Sequence, residues 1–231
     1  MWRADAYATE IEDNGFDGIS YFYHEKNFHY KTSLKLAGVY NVYNSMLAAK
    51  TCIDIGIAPC KVKNSISKLE AIEGRYEIIK GKITVIIDYA HTSEGFASLL
   101  RSLYKSKGVG KLTVVFGCGG ERDRSSRPQM AAIAEKYAEK IVITSDNPRR
   151  ENPTEIFNDI TSGFTNACYE ICEDRCEAIQ MAIANAESGD VIAIIGKGCE
   201  EYLIDKNGYH DFSDKDAAIK ALKAGDKDGI L

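Results

Sequence analysis

A chain of 231 residues, 45% hydrophobic and 27% charged, has room for one large or two small soluble globular domains. Its net charge of -5 argues against nucleic acid as the main partner. Odd-numbered cysteines, the absence of a secretory h-region after Met1-Trp2-Arg3-Ala4-Asp5, and no apolar run near the roughly 18 residues of a bilayer span point to reduced thiols in a cytoplasm.

Residues 1 to about 33 read as extended. Phe16 to His24 alternates and is rich in aromatics, and Phe28-His29-Tyr30-Lys31-Thr32 follows Glu25-Lys26-Asn27, the pattern of a β-hairpin or sheet edge. Such a ribbon has little core of its own, which suggests that the chain begins in the middle of something or that a partner covers the segment. Gly38-Val39-Tyr40-Asn41-Val42-Tyr43-Asn44 opens a helix to about Ile55, with Val42, Met46, Leu47, Ala49 and Ile53 as its apolar stripe. Asn41 and Asn44 lie one turn apart and can reach one ligand; the alternative makes Asn41 an N-cap and leaves Asn44 solvated. A second helix covers about Val62 to Leu69. The composition changes after Gly74-Arg75, which places a hinge there and divides 1–74 from 75–231.

From Ile83 onward strands and helices alternate, as in a doubly wound α/β domain with a mostly parallel sheet. The expected strands are Ile83 to Asp88, Leu112 to Phe116, a third that opens Ile141-Val142-Ile143, Tyr169 to Cys172, and Val191 to Ile195. Between them, Thr92 or Ser93 caps a helix carrying Phe96, Leu99, Leu100, Leu103 and Tyr104; Pro128 sits in the first turn of the next; Asn152 caps and Pro153 starts the third; Asp174 caps the fourth. A hairpin around Asn207-Gly208 and a capping box at Ser213-Asp214-Lys215-Asp216 precede a last helix. Cys168, Cys172 and Cys176 fall on a strand and the following helix without a shared face, and no C-x-x-C occurs, so no metal site is expected there.

Ligands of open α/β sheets bind beyond the carboxyl ends of the strands. Here those ends are unusually polar. They read Asp88-Tyr89-Ala90-His91-Thr92, then Gly117-Cys118-Gly119-Gly120-Glu121-Arg122-Asp123-Arg124, then Asp146-Asn147-Pro148-Arg149, then Gly196-Lys197-Gly198-Cys199-Glu200. Pro148 stiffens its loop, and a stiff loop can aim a carboxylate, an amide and a guanidinium at a small zwitterion. Taken alone the same loop also reads as a capped strand-to-helix turn. Gly117 to Arg122 is G-x-G-x-x-R, with arginine where a dinucleotide fingerprint has its third glycine, and no G-x-x-x-x-G-K-[ST] phosphate loop is present.

Gly38-x-x-Asn41-x-x-Asn44, Gly74-Arg75-Tyr76-Glu77, Asp88-Tyr89-Ala90-His91-Thr92, Gly119-Gly120-Glu121-Arg122-Asp123-Arg124, Asp146-Asn147-Pro148-Arg149, Asp174-Arg175 and Gly196-Lys197-Gly198-x-Glu200 together resemble, in order and spacing, the Mur ligase family of peptidoglycan enzymes. The resemblance implies the tail of a central ATPase domain followed by a Rossmann-like C-terminal domain. It implies that Asn41 and Asn44 face the adenine of ATP, that Arg75 and Asp88 touch ribose and phosphates, and that Tyr89 and His91 lie close by. It assigns the amino-acid substrate to Arg122, Asp146, Asn147, Pro148, Arg149, Gly196 and Glu200, with no catalytic side chain or metal ligand in this chain. Asp146-Asn147-Pro148-Arg149 matches the form associated with meso-diaminopimelate, whose distal carboxylate an arginine can grip bidentately and which lysine lacks.

The implied reaction passes the γ-phosphate of ATP to the carboxylate of UDP-MurNAc-L-Ala-D-Glu, and an amine then attacks the acyl phosphate. The phosphate loop, Mg²⁺ ligands and UDP-sugar domain would lie upstream, in missing domains that could be a separate chain, so this chain alone is expected not to turn over. Thr92-Ser93-Glu94, Ser125-Ser126-Arg127 and Cys199 depart from the family pattern, which has Thr-Pro-Asp, a more basic run and histidine at these places. Two other readings are a non-catalytic binding module serving a partner chain and a nicotinamide-dependent dehydrogenase, the latter disfavoured by Arg122.

Overall fold

The computed structural model describes residues 4–70 and 72–227, so the first three residues of the expected extended stretch lie outside the described residues. The chain divides into two compact units, residues 1–72 and 73–231.

The first unit is a three-stranded antiparallel sheet in the order β1-β2-β3 with two helices on it. The strands are β1 (Ala6–Asp13), β2 (Ile19–Glu25) and β3 (Phe28–Leu34), and the helices α1 (Tyr40–Asp54) and α2 (Pro59–Lys68). Alternation in β2 turns Ile19, Tyr21 and Tyr23 into a core shared with Leu34, Val42, Ala49 and Val62. The extended segment therefore has a core, contrary to the expectation from sequence, because α1 and α2 cover the face that a bare ribbon would expose. One other expectation, and one alternative reading, fail on α1. Leu47 is exposed rather than part of the apolar stripe, because it sits off the Val42–Met46–Ala49–Ile53 face that packs on the sheet. Asn41 is not the N-cap: Val39 holds that position.

The second unit is built on a six-stranded sheet in the order β4-β5-β9-β6-β7-β8. It contains β4 (Glu77–Lys80), β5 (Thr84–Asp88), β6 (Leu112–Phe116), β7 (Lys140–Ile143), β8 (Tyr169–Ile171) and β9 (Val191–Ile195). All neighbours pair in parallel except β4, which runs antiparallel along β5. The short Glu77-Ile78-Ile79-Lys80 segment has no alternation and was not expected as a strand; it forms because the β5 edge offers it a ladder. β6 and β9 are buried from end to end, and β5 from Val85 to Asp88, as β-branched runs covered on both faces should be.

Five helices complete the unit: α3 (Ser93–Ser106), α4 (Ser126–Tyr137), α5 (Pro153–Thr161), α6 (Arg175–Ala184) and α7 (Asp214–Lys227). The starts of α3, α5, α6 and α7 are set by side chains that accept orphan N–H groups. Thr92 takes Gly95 N, Asn152 takes Thr154 N, Asp174 takes Glu177 N, and Ser213 takes Asp216 N. α6 and α7 pack on one face, against Val85, Val115, Val142, Ile192 and Ile194. Phe116, pointing the other way, meets Phe96 of α3 at 5.1 Å between ring centres. Phe96, Leu99, Leu100 and Leu103 are buried, each contributing roughly 1.5–3 kcal/mol. Tyr104 at the end of that stripe is half exposed instead. A hairpin, β10 (Tyr202–Asp205) with β11 (Gly208–Asp211), lies between β9 and α7.

One ion pair ties helices to strand ends. Arg175 donates to Asp214 through Nε at 2.7 Å and Nη2 at 2.8 Å, and both side chains are 0% exposed. The same guanidinium donates to the carbonyls of Ser145 after β7 (3.2 Å) and Ile195 in β9 (3.1 Å). Removing one partner leaves a buried uncompensated charge, so Arg175→Met is expected to lower the unfolding free energy by about 3–5 kcal/mol in urea titrations. Arg175→Met with Asp214→Leu should recover much of that loss; equal losses for the single and double variants would contradict this account.

Candidate functional site

β9 lies between β5 and β6, so the carboxyl ends of β5, β9, β6 and β7 stand side by side. A cavity of about 450 Å³ opens there, lined by Tyr89, His91, Gly117 to Gly119, Arg122, Asp123, Asp146, Asn147, Arg149, Gly196 and Glu200 among others. Arg122, Arg149 and Glu200, which come from different loops, thus line one cleft. Pro148 does not: it lines a neighbouring cavity with Arg150, Leu203 and Phe212.

The loop after β6 is held from two sides. Arg127, fully buried in the first turn of α4, donates to both oxygens of Glu151 (2.6 and 2.7 Å), to Asp159 (2.8 Å) and to the Gly119 carbonyl (3.1 Å). Glu151 in turn accepts the Glu121 N–H at 3.0 Å. From the other side Arg149 Nη1 donates to the Gly120 carbonyl at 2.7 Å, and Gly120 N to the Asn147 carbonyl at 2.9 Å. A Cβ on Gly120 would come within 1.9 Å of the Pro148 carbonyl, so the close approach of the two loops requires glycine. The Arg127 hydrogen bonds hold the Glu151 carboxyl down at about 2. Arg149 itself sits at φ 55, left-handed backbone unusual for a side chain of its size; its N–H is anchored to the Ile204 carbonyl at 3.0 Å.

The Asp146 carboxylate is buried at the floor of the cleft. Burial pushes its pKa up, opposed by the charges of Arg175 and Lys197. Gly196, at φ 123, leaves it room: a Cβ there would lie 2.5 Å from Asp146 Oδ2. Asn147 is occupied within the protein. Its Oδ1 accepts from Lys197 Nζ (3.0 Å) and Ile204 N (2.9 Å), and its Nδ2 donates to Glu200 (2.8 Å). An amide nitrogen carries two donors, so one N–H remains for a ligand. Chemically, the cleft offers the two guanidinium groups of Arg122 and Arg149 together with the carboxylates of Asp146 and Glu200, and Glu94 and Asp123 also line it, a mixed set of charges that complements a small molecule carrying both ammonium and carboxylate groups.

Of the residues assigned to a nucleotide by resemblance, Tyr89 and His91 line this same cavity, while Arg75 and Asp88 do not. Both oxygens of Asp88 are used on the backbone, for Tyr76 N (2.7 Å) and Ala90 N (2.8 Å), and burial raises its pKa against those bonds and Arg75. Arg75 stacks over the Tyr89 ring at 4.2 Å, and His91 meets the same ring edge-on at 4.8 Å. In the first unit, the Asn41 amide donates to the Ala37 carbonyl (2.7 Å) and accepts from Asn44 (3.1 Å). The two asparagines are neighbours, as their spacing predicts, and Asn44 is exposed.

The model of the family described as "Mur ligase, glutamate ligase domain" matches residues 74–198. The chain belongs to the Mur ligase family. It is 37% identical over 226 residues to the UDP-N-acetylmuramoyl-L-alanyl-D-glutamate–2,6-diaminopimelate ligase of Syntrophomonas wolfei, covering 96% of this chain and 46% of that one. With the enzyme of the same name from Lactiplantibacillus plantarum it shares 38% identity over 222 residues, covering 94% of this chain and 44% of that one. A solved structure of a ligase of that name superposes with a TM-score of 0.68 at 31% identity, over 96% of this chain and 46% of the other. The chain thus spans less than half the length of the relatives it matches.

The Mur ligase match takes in Arg75, Asp88, Arg122 and Asp146 to Gly196, and stops just short of Glu200. Two residues that shape the cleft were not singled out from the sequence. Arg127 enters only as part of a departure from the family's basic run, and Lys197 only within a polar strand end and a family motif, with no role of its own. A signal existed for Lys197: a charge at the end of the wholly apolar Val191-Ile192-Ala193-Ile194-Ile195 must be buried with a partner.

Two outcomes follow for the loop. The lowered Glu151 pKa adds stability that is present above about 4.5 and lost as pH falls toward 2, so the melting temperature of the wild type should drop more steeply over that window than that of Glu151→Gln. Parallel pH profiles would refute it. Gly120→Ala should cost at least roughly 1–3 kcal/mol through overpacking against the Pro148 carbonyl, measured by urea unfolding; an unchanged midpoint would refute that.

Proposed function

We propose that the chain is the C-terminal part of an ATP-dependent ligase that adds meso-diaminopimelate to UDP-MurNAc-L-Ala-D-Glu during peptidoglycan synthesis in the cytoplasm. The observation that carries this reading is the meeting of Arg122, Arg149, Asp146 and Glu200 around one cleft. In it, Asp146 and Glu200 hold an ammonium group, Arg149 and the remaining Asn147 N–H hold the distal carboxylate, and Arg122 meets the other carboxylate, each by charge-assisted hydrogen bonds. Gly196 gives backbone at the floor, and Pro148 acts from outside by stiffening the loop.

Residues 1–74 then belong to the central ATP-binding domain and residues 75–231 to the amino-acid-binding domain. The exposed Arg75–Tyr89–His91 stack, with a cation on an aromatic ring, suits a nucleotide, with Asn41 and Asn44 assigned to its adenine side. Asp88 serves by shaping the loop that carries Tyr89. Among the described residues no three His, Cys, Asp or Glu side chains gather as metal ligands, and Mg²⁺ is assigned to residues of the ligase beyond this chain. When ATP is bound it supplies the phosphoryl group that activates the peptide carboxylate. The part of this chain is positioning: it orients the amine of the amino acid for attack on the acyl phosphate, which is where such an enzyme gains most. Among the described residues no helix is long and apolar enough to cross a membrane.

Titration calorimetry tests the assignment. The chain should bind meso-diaminopimelate weakly and prefer it to L-lysine, and Arg149→Ala should abolish the binding. Equal affinity for lysine would remove the substrate assignment.

A further inference from the structure

Lys197 is 0% exposed at the carboxyl end of β9. Its Nζ donates to Asn147 Oδ1 and to Glu200 Oε2, both at 3.0 Å, and lies 5.3 Å from the centre of the Tyr202 ring. An ammonium has donors and no acceptor, so Asn147 must turn its oxygen toward it. The Ile204 N–H takes the same oxygen at 2.9 Å, which leaves the amide nitrogen for Glu200 Oε2 at 2.8 Å. One buried cation therefore sets the orientation of Asn147 and sits behind the Glu200 carboxylate. Both of those residues line the cleft, and Lys197 does not.

We propose that Lys197 is a positioning residue that determines specificity: by cancelling the charge of Glu200 from behind, it tunes the cleft to an ammonium that shares its carbon with a carboxylate, and against a bare ammonium. The proposal rests on the reading of the cleft as an amino-acid site. The distal end of meso-diaminopimelate carries an ammonium and a carboxylate and is neutral overall. The distal end of lysine carries a full positive charge. Without Lys197 the cleft is one unit more negative, which repels the carboxylate of the first and attracts the second. A pair removed from water is screened little, so the preference survives physiological salt.

The test is calorimetry on the full chain with meso-diaminopimelate and L-lysine, with thermal unfolding run on every variant. Lys197→Met keeps the length of the side chain and removes its charge. The ratio of affinities, meso-diaminopimelate over lysine, should fall on the order of tenfold, the scale of one charge-assisted hydrogen bond. Lys197→Met with Glu200→Gln removes both charges and should bring the ratio back toward that of the wild type. A folded Lys197→Met with an unchanged ratio overturns the proposal, because a purely structural role weakens both ligands alike. So does a double variant whose ratio stays as low as that of the single. If Lys197→Met does not fold, the double variant decides: a ratio near that of the wild type supports the proposal, and no preference overturns it. A wild type that does not prefer meso-diaminopimelate fails earlier, and brings down the substrate assignment along with this inference.

Discussion

The buried pair of Arg175 and Asp214 is the constraint on which the C-terminal unit depends. A guanidinium with no solvent needs partners for its donors, and this one finds them in a carboxylate from α7 and in carbonyls at the ends of β7 and β9. Two helices and two strand ends are thereby held at one point. Those strand ends are the ones that carry Asp146 and Gly196. The rigidity of the cleft floor therefore comes from behind it, from residues that do not line the cleft.

The same device recurs twice. Arg127 lies behind the glycine loop and holds the Gly119 carbonyl directly and the Glu121 N–H through Glu151. Lys197 lies behind Asn147 and Glu200. Each buried cation fixes a loop whose front face lines the cleft. Burial makes such hydrogen bonds strong and makes their absence costly, so the loops have little freedom to rearrange. Such stiffness favours a site whose ligand must be held in one position, because misplacement by an ångström is expensive.

Much of the scaffold was legible in the sequence. β-branched runs such as Val191 to Ile195 mark buried parallel strands, and Thr92, Asn152 and Asp174 mark helix starts through the N–H groups they accept. The polar strand ends also identified the cleft residues, since carboxyl ends of an α/β sheet share an edge. The edge strand at Glu77–Lys80 was not legible, because only the ladder offered by β5 makes it a strand. The covered core of the first unit was not legible either, because the ribbon and the helices that bury it are separate in the chain.

The sequence by itself determined which residues could reach the sheet edge: local propensity and capping are properties of neighbours along the chain. Only the tertiary structure decided what each of them does there. Asn147 and Asp88 read as ligand-facing groups, yet their polar atoms are largely taken by Lys197, Ile204, Tyr76 and Ala90. Arg127, Arg175 and Lys197 have no individual role in the sequence reading, yet they are buried. A buried charge must find partners wherever the fold brings them, and most of those partners lie tens of residues away along the chain.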